Sequence, residues 1–239
     1  MKSKSKNYSS NSGRKLITAK RPQHIISEQF RTIRTNLQFS MPDKDLKTLL
    51  ITSSIPGEGK STNAANIAIV FAQEGKRVLL VDADMRKPTL HYTFPMSNSQ
   101  GLSTILTRQH EFIEAIEVTD VNGLFLIPSG PIPPNPSELL SSKNMELFLE
   151  TVVQEFDIVI FDAPPVLSVS DALILSNKCD GTLLIVNSGA VDKSDVVKAK
   201  ASLQASQATI LGAVLNNFKL PNSKYYYDMY GYGDKKGKR

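Results

Sequence analysis

Short unbroken apolar runs recur along the chain at 48–52, 78–82, 124–128, 158–162, 182–187 and 210–215, with helically spaced stretches between them. A strand covered on both faces reads as a continuous apolar run, and its alternation with helices predicts a parallel sheet with helices on both sides. In such a sheet, ligands gather at the carboxyl ends of the strands. Ahead of the first run, Phe30, Ile33 and Leu37 recur at helical spacing. They predict a helix over 27–39, with Ser27 as N-cap and Glu28 in the first turn, where the helix dipole favours an acid. The stretch PSGPIPPNP at 128–136 holds five prolines and predicts a loop, followed by a helix over 143–155. No internal repeat is evident.

The chain has 239 residues, 41% hydrophobic and 21% charged. This suits one globular α/β domain that buries its core without disulfides or metal. A single cysteine, Cys179, excludes an internal disulfide and the paired thiols of zinc ribbons, thioredoxin-type sites and iron–sulfur clusters. It is read as a small buried residue in a protein of the reducing cytosol. No apolar run approaches the roughly 20 residues of a membrane helix, and residues 1–21 lack the apolar centre of a signal peptide. The expectation is a cytoplasmic protein, neither secreted nor membrane-spanning. The net charge of +5 lies at the two ends: residues 1–24 carry seven basic and no acidic side chains, and residues 219–239 six basic and two acidic. Residues 1–24 are read as a flexible basic arm, 25–218 as the folded domain, and 219–239 as a tail holding Tyr225, Tyr226, Tyr227, Tyr230 and Tyr232. Charge alone leaves open whether these ends meet anionic lipid, nucleic acid, an acidic protein or only solvent. His24, His91 and His110 are scattered without metal-ligand spacing.

The chemistry concentrates after three of the strands. The first runs into Ser53-Ser54-Ile55-Pro56-Gly57-Glu58-Gly59-Lys60-Ser61-Thr62 and then into a helical stretch, the order a P-loop requires. Gly57 and Gly59 admit phosphate oxygens close to the backbone. The amides from Glu58 to Thr62, at a helix N-terminus, point at them. Lys60 is placed for the β- and γ-phosphates of ATP and the Ser61 hydroxyl for Mg2+. Ser54 stands where the full pattern has glycine, a mild departure that keeps every phosphate-contacting group. The second strand ends in Asp82-Ala83-Asp84-Met85-Arg86-Lys87-Pro88 and a later one in Asp162-Ala163-Pro164-Pro165. Both bring carboxylates to the P-loop edge, where hard oxygen ligands suit Mg2+ directly or through water.

PGEGKST, VDADMRKP and FDAPP together resemble the Walker A, A′ and B motifs of the bacterial tyrosine kinases of capsular and extracellular polysaccharide export. The resemblance spans nearly the whole chain. It takes in EQFRTIR at 28–34, similar to that family's E-x-x-R-x-x-R oligomerisation helix, and the tyrosine-rich tail that those kinases autophosphorylate. It implies a P-loop NTPase-type fold, ATP and Mg2+ as cofactors, and transfer of phosphate to tyrosine. Lys60 then steadies the transferring phosphate, while Ser61, Asp82 and Asp162 serve the metal. Asp82 accepts the hydroxyl proton with Asp84 in support, and Asn216 stands at a position that contacts purine in related proteins or else caps its strand. The five tail tyrosines become the phosphorylation sites, and Glu28, Arg31 and Arg34 a contact between subunits of a ring. Implied partners are a membrane activator of polysaccharide export, protein tyrosine substrates and a cognate tyrosine phosphatase. The chain looks like the split form of the family, recruited to the inner face of the membrane. A partition-type ATPase switch binding DNA or membrane is the alternative. That group carries a lysine early in the P-loop where this chain has Ile55, and it has no use for clustered tyrosines, which disfavours nucleic acid as a partner. A cluster-carrier ATPase lacks its cysteine pair here, and a non-catalytic export regulator fits poorly with intact Lys60, Ser61, Asp82 and Asp162.

Overall fold

The computed structural model describes residues 16–42 and 44–218; the five tail tyrosines and residues 1–15 of the basic arm lie outside them. The apolar runs form the strands β1 (Thr48–Ser53), β2 (Val78–Asp82), β4 (Leu124–Ile127), β5 (Ile158–Asp162), β6 (Gly181–Asn187) and β7 (Ile210–Asn216), all within one or two residues of the sequence reading. They pair in parallel, in the order β4-β2-β5-β1-β6-β7. One strand was not anticipated: β3 (Glu117–Val118) pairs antiparallel with β4 at the edge. It is two residues long and exposed on both, so it leaves no apolar run to read. β7 also departs from the expectation of two covered faces, because it closes the opposite edge and is partly exposed along its length.

Helices cover both faces. On one side lie α1 (Ile17–Lys20), α2 (Ile25–Phe39) and α3 (Lys60–Ala72). Of the α3 residues only Lys60 and Thr62 escape burial, because the helix is sandwiched between the sheet and α1 and α2. Two short helices follow β2, α4 (Leu90–Thr93) and α5 (Leu102–Leu106). The other face packs α6 (Pro136–Ser141), α7 (Lys143–Glu155), α8 (Asp171–Lys178) and α9 (Lys193–Ala205). Alternate residues of each central strand feed two separate cores: Leu49 and Ile51 join the α2–α3 side, and Leu50 the α7–α8 side. Cys179, at the end of α8, is buried as expected, and burial pushes its thiol well above the ordinary range.

The N-terminal region corrects two expectations. Residues 16–24, read as part of a flexible arm, pack onto the domain through the fully buried Thr18, whose amide and hydroxyl both donate to Asn66 Oδ1 at 3.1 and 2.7 Å. Helix α2 begins at Ile25, two residues before the Ser27 start. His24 Nδ1 accepts from the Ile26 amide as the cap, while the buried Ser27 hydroxyl donates to the Arg21 carbonyl instead.

Candidate active site

Strand order brings the three motifs together. β5 lies between β1 and β2, so the loops after all three open at one crevice, and Asp82 stands directly opposite Asp162 across the β2–β5 pairing. After β1 the chain turns through Gly57 and Gly59, whose φ of +87° and +90° lie in the left-handed region that only glycine enters freely. A Cβ on Gly59 would also stand 2.4 Å from Asn216 Nδ2. That amide donates to the Glu58 carbonyl at 2.9 Å, so Asn216 reaches from the end of β7 to the P-loop backbone. The Glu58 side chain is buried and accepts from the Ile55 amide at 2.8 Å and from Asn187 N–H, beyond the loop, at 3.0 Å. The loop is thus held in its phosphate-ready turn by its own glutamate.

Lys60 Nζ lies 2.9 Å from Asp84 Oδ2 and 3.3 Å from Asp162 Oδ1 and from Ser61 Oγ. Burial alone would lower its pKa, but the charges of Asp162 and Asp84 outweigh that and raise it. Asp82 is fully buried: Oδ2 accepts from the amides of Thr89 and Leu90 at 3.0 and 2.9 Å, and Oδ1 from the Asp84 amide at 3.3 Å. Burial first, and then the charge of Asp162, push its carboxyl up to about 7. Burial raises Asp162 as well, and its Oδ2 is enclosed without a hydrogen-bond partner among the described residues. An orphaned oxygen on a buried carboxylate marks a place where a cation completes the site. Ser61 Oγ and Asp162 are hard donors that fit Mg2+ sharing its shell with phosphate and water.

A cavity of about 540 Å3 opens over this cluster, within the range of small-molecule sites. Lys60, Ser61, Thr62 and Asp84 line it, with Pro164 and Pro165 as an apolar wall. Asp82 does not reach its surface: among the acids expected to act, Asp84 is the one exposed to the cavity. The sequence reading missed Glu58 as a side-chain clamp, and it assigned no role to Arg86, which lines the same cavity.

The AAA domain family profile matches residues 46–189, more than half of the chain. The tyrosine-protein kinase YwqD of Bacillus subtilis (strain 168) is 47% identical over 223 residues, covering 93% of this chain and 94% of the relative. This chain belongs to the bacterial tyrosine-protein kinases. Among solved structures, the chimerical protein CapA2B2 superposes with a TM-score of 0.83 at 42% identity, covering 86% of the kinase and 90% of that chain. The cell division ATPase MinD of Pyrococcus furiosus, at 23% identity and a TM-score of 0.63, shares the fold alone. The kinase is therefore a nucleotide-binding P-loop enzyme, and the partition-type ATPase reading is only a distant likeness. Among the described residues no helix is long and apolar enough to cross a membrane.

The EQFRTIR segment lies on α2, but its three charged residues do not form one free surface. Arg31 pairs with Glu28 of its own helix, and its Nη2 donates to the Pro22 carbonyl at 2.7 Å. Arg34 turns inward: its guanidinium donates to the Val70 carbonyl in the last turn of α3 at 2.9 Å and lies 3.7 Å from Glu74. A cation at a helix C-terminus satisfies a carbonyl and meets the negative end of the dipole, which is why Arg34 turns toward α3 and away from Glu28 and Arg31.

Proposed function

We propose that the kinase transfers the γ-phosphate of ATP, bound with Mg2+, to Tyr225, Tyr226, Tyr227, Tyr230 and Tyr232 of a neighbouring copy and to tyrosines of other proteins. The single observation that carries this reading is Lys60 held between Asp84 and Asp162 at the mouth of a glycine-shaped phosphate turn. The amides from Glu58 to Thr62 and the N-terminus of α3 receive the phosphates. Lys60 moves from the carboxylates to phosphate oxygens, which frees Asp84 to face the acceptor. The Asp82–Asp84 pair takes the phenolic proton, with Asp84 facing the hydroxyl from the cavity wall and Asp82 standing behind it as the base. A tyrosine hydroxyl, of pKa about 10, keeps its proton near neutrality and needs such a base. Mg2+, when bound through Ser61 and Asp162, neutralises phosphate charge. Asn216 borders the nucleotide from the end of β7.

The reading extends to assembly. Glu28 and Arg31, with Arg34 bracing α2 from behind, support a subunit contact within a ring that presents one tail to the next active site. A membrane activator recruits the kinase to the inner face of the membrane in polysaccharide synthesis and export, and a tyrosine phosphatase reverses the modification. The test is intact-mass spectrometry with tyrosine mapping before and after ATP and Mg2+, alongside Lys60→Met. Phosphate accumulating on residues 225–232 only where Lys60 is present is the expected result. No phosphate on the wild-type chain, even with the cytoplasmic segment of the activator added, overturns it.

A further inference from the structure

We propose that Arg86 is a catalytic residue of the phosphoryl transfer, aimed at the transferring phosphate by the buried carboxylate of Asp171. Arg86 follows β2 in the loop that carries Asp82 and Asp84, and its side chain, 38% exposed, lines the cavity over Lys60. Nε donates to Asp171 Oδ2 at 2.9 Å and Nη2 to Oδ1 at 3.0 Å, a two-point pairing that fixes the plane of the guanidinium. Among the described residues these are the hydrogen bonds the guanidinium makes, and Nη1 takes no part in them. Asp171, the first residue of α8, is fully buried and gives both oxygens to this one arginine. Two and three residues before it, Val169 and Ser168 line the same cavity, so the pair ties the β2 loop to the segment that leads into α8.

This arrangement differs from a surface ion pair in what it leaves unspent. A buried carboxylate that saturates one edge of a guanidinium holds the other edge at a fixed place and offsets its charge while the crevice is empty. The inference rests on the transfer proposed above. In that step the bond from the γ-phosphorus to the β–γ bridging oxygen breaks and its electron pair leaves with ADP. The tyrosine oxygen bonds to the phosphorus, and the phenolic proton passes to the Asp82–Asp84 pair. Charge spreads over the equatorial and bridging oxygens as the step proceeds, and a preorganised arginine stabilises that spread more than it stabilises bound nucleotide. Lys60 supplies one cation from the P-loop side. Arg86 supplies a second from the loop after β2.

The test uses the full chain and four proteins: wild type, Arg86→Lys, Asp171→Asn, and the double variant Arg86→Met with Asp171→Asn, which leaves no buried charge unpaired. Affinity is measured for ADP with Mg2+, alone and with aluminium fluoride as a mimic of the transferring phosphoryl, together with kcat for tail phosphorylation. Arg86→Lys and the double variant are expected to lose at least thirtyfold in affinity for the aluminium fluoride complex and about a hundredfold or more in kcat, with ADP affinity within threefold. Asp171→Asn, which keeps the arginine but loosens its aim, loses about tenfold in both. If a folded double variant binds the aluminium fluoride complex within threefold of wild type, the pair is only a brace between the loop and α8, and the proposal fails. It also fails if ADP affinity drops by the same factor as the mimic, because Arg86 then binds ground state and transition state alike. Absence of tyrosine phosphate on the wild type would fault the acceptor assignment, and the binding comparison would still decide the role of Arg86.

Discussion

Carboxylates stand at both ends of the central strands, and the two ends treat them in opposite ways. At the carboxyl ends, Asp82, Asp84 and Asp162 crowd around one lysine in almost complete burial, and Asp162 Oδ2 has no hydrogen-bond partner among the described residues. Asp82 is displaced upward to about 7. At the amino ends, Asp180 precedes β6 and receives Lys44, the Lys47 amide at 3.1 Å, and the Thr48 amide and hydroxyl at 2.9 Å each. Its own amide donates back to Thr48 Oγ1 at 2.7 Å, locking β6 against β1. Partial burial works against the charged form there, yet the hydrogen bonds from Lys44 and Thr48 win and hold the carboxyl below its ordinary value. Saturated carboxylates hold the fold together. Carboxylates buried against one another, one of them with an orphaned oxygen, are where the fold spends stability on chemistry.

The largest expected effect follows from changing the charge at the carboxyl ends. Asp162→Asn removes a charge that the folded state bears at a cost, so this variant should melt at or above the wild-type temperature; Asp82→Asn removes such a charge too but turns an N–H toward an amide from which Asp82 accepts, and the two effects offset. Tail phosphorylation should nonetheless fall in both, by about a hundredfold to ten-thousandfold in Asp82→Asn, the range for removing a positioned acid–base group, and steeply in Asp162→Asn through weakened hold on Mg2+. Scanning calorimetry and single-turnover kinetics on the same samples check both halves. Loss of stability in step with activity would erase the contrast between the two ends.

At the amino ends the signs reverse. Asp180→Asn should leave kcat within about twofold while lowering stability by about 1–3 kcal/mol, since amides and a lysine lose their charged acceptor. A lowered folded-state pKa means the native chain holds this proton less tightly than the unfolded one. The stabilisation is therefore complete above about pH 4 and is lost as pH falls through the depressed value. The deficit of Asp180→Asn in urea melts should hold steady from about pH 7 to pH 5 and shrink below about pH 4. A deficit that grew with acidity would show that Asp180 is not held in its charged form.

Much of this contrast is legible in the sequence alone. The strands β2 and β5 fall on the runs read from sequence, because a strand buried on both faces announces itself locally, and they deliver Asp82 and Asp162 to the edge where the P-loop opens. Lys60, Ser61 and Asp84 came with the same motifs. What stayed hidden are partnerships between residues far apart in the chain: Arg34 with Val70, 36 positions away, Arg86 with Asp171 at 85, and Glu58 with Asn187 at 129. A single sequence carries no signal for such pairs, since the charged partner reads as an ordinary surface residue until the sheet order is known, and Val70 and Asn187 take part only through their backbone. The Ser27 cap failed for a nearer reason. His24 and Ser27 are both competent caps, and the packing of α1 draws the Ser27 hydroxyl to Arg21.

Glu58 sharpens the comparison, because it lies at the carboxyl ends of the strands and yet is treated like Asp180. Its two oxygens are taken by the amides of Ile55 and Asn187, and no cation of the site touches it. If saturation by partners outside the cluster around Lys60, rather than position in the fold, marks a structural carboxylate, Glu58→Gln should behave as a weakened brace. The amide keeps one acceptor and turns an N–H toward a second N–H, at a cost of about 1–2 kcal/mol. A chain of this size should then melt roughly 2–8 °C lower. The loop it braces binds phosphate, so KM for ATP should rise several-fold while kcat changes less, because a loosened turn weakens nucleotide binding before and during transfer alike. Calorimetry and steady-state kinetics over a range of ATP concentrations measure both. A hundredfold loss of turnover with unchanged KM would move Glu58 among the acids that act on the reacting groups, and position at the strand ends would then be the better guide.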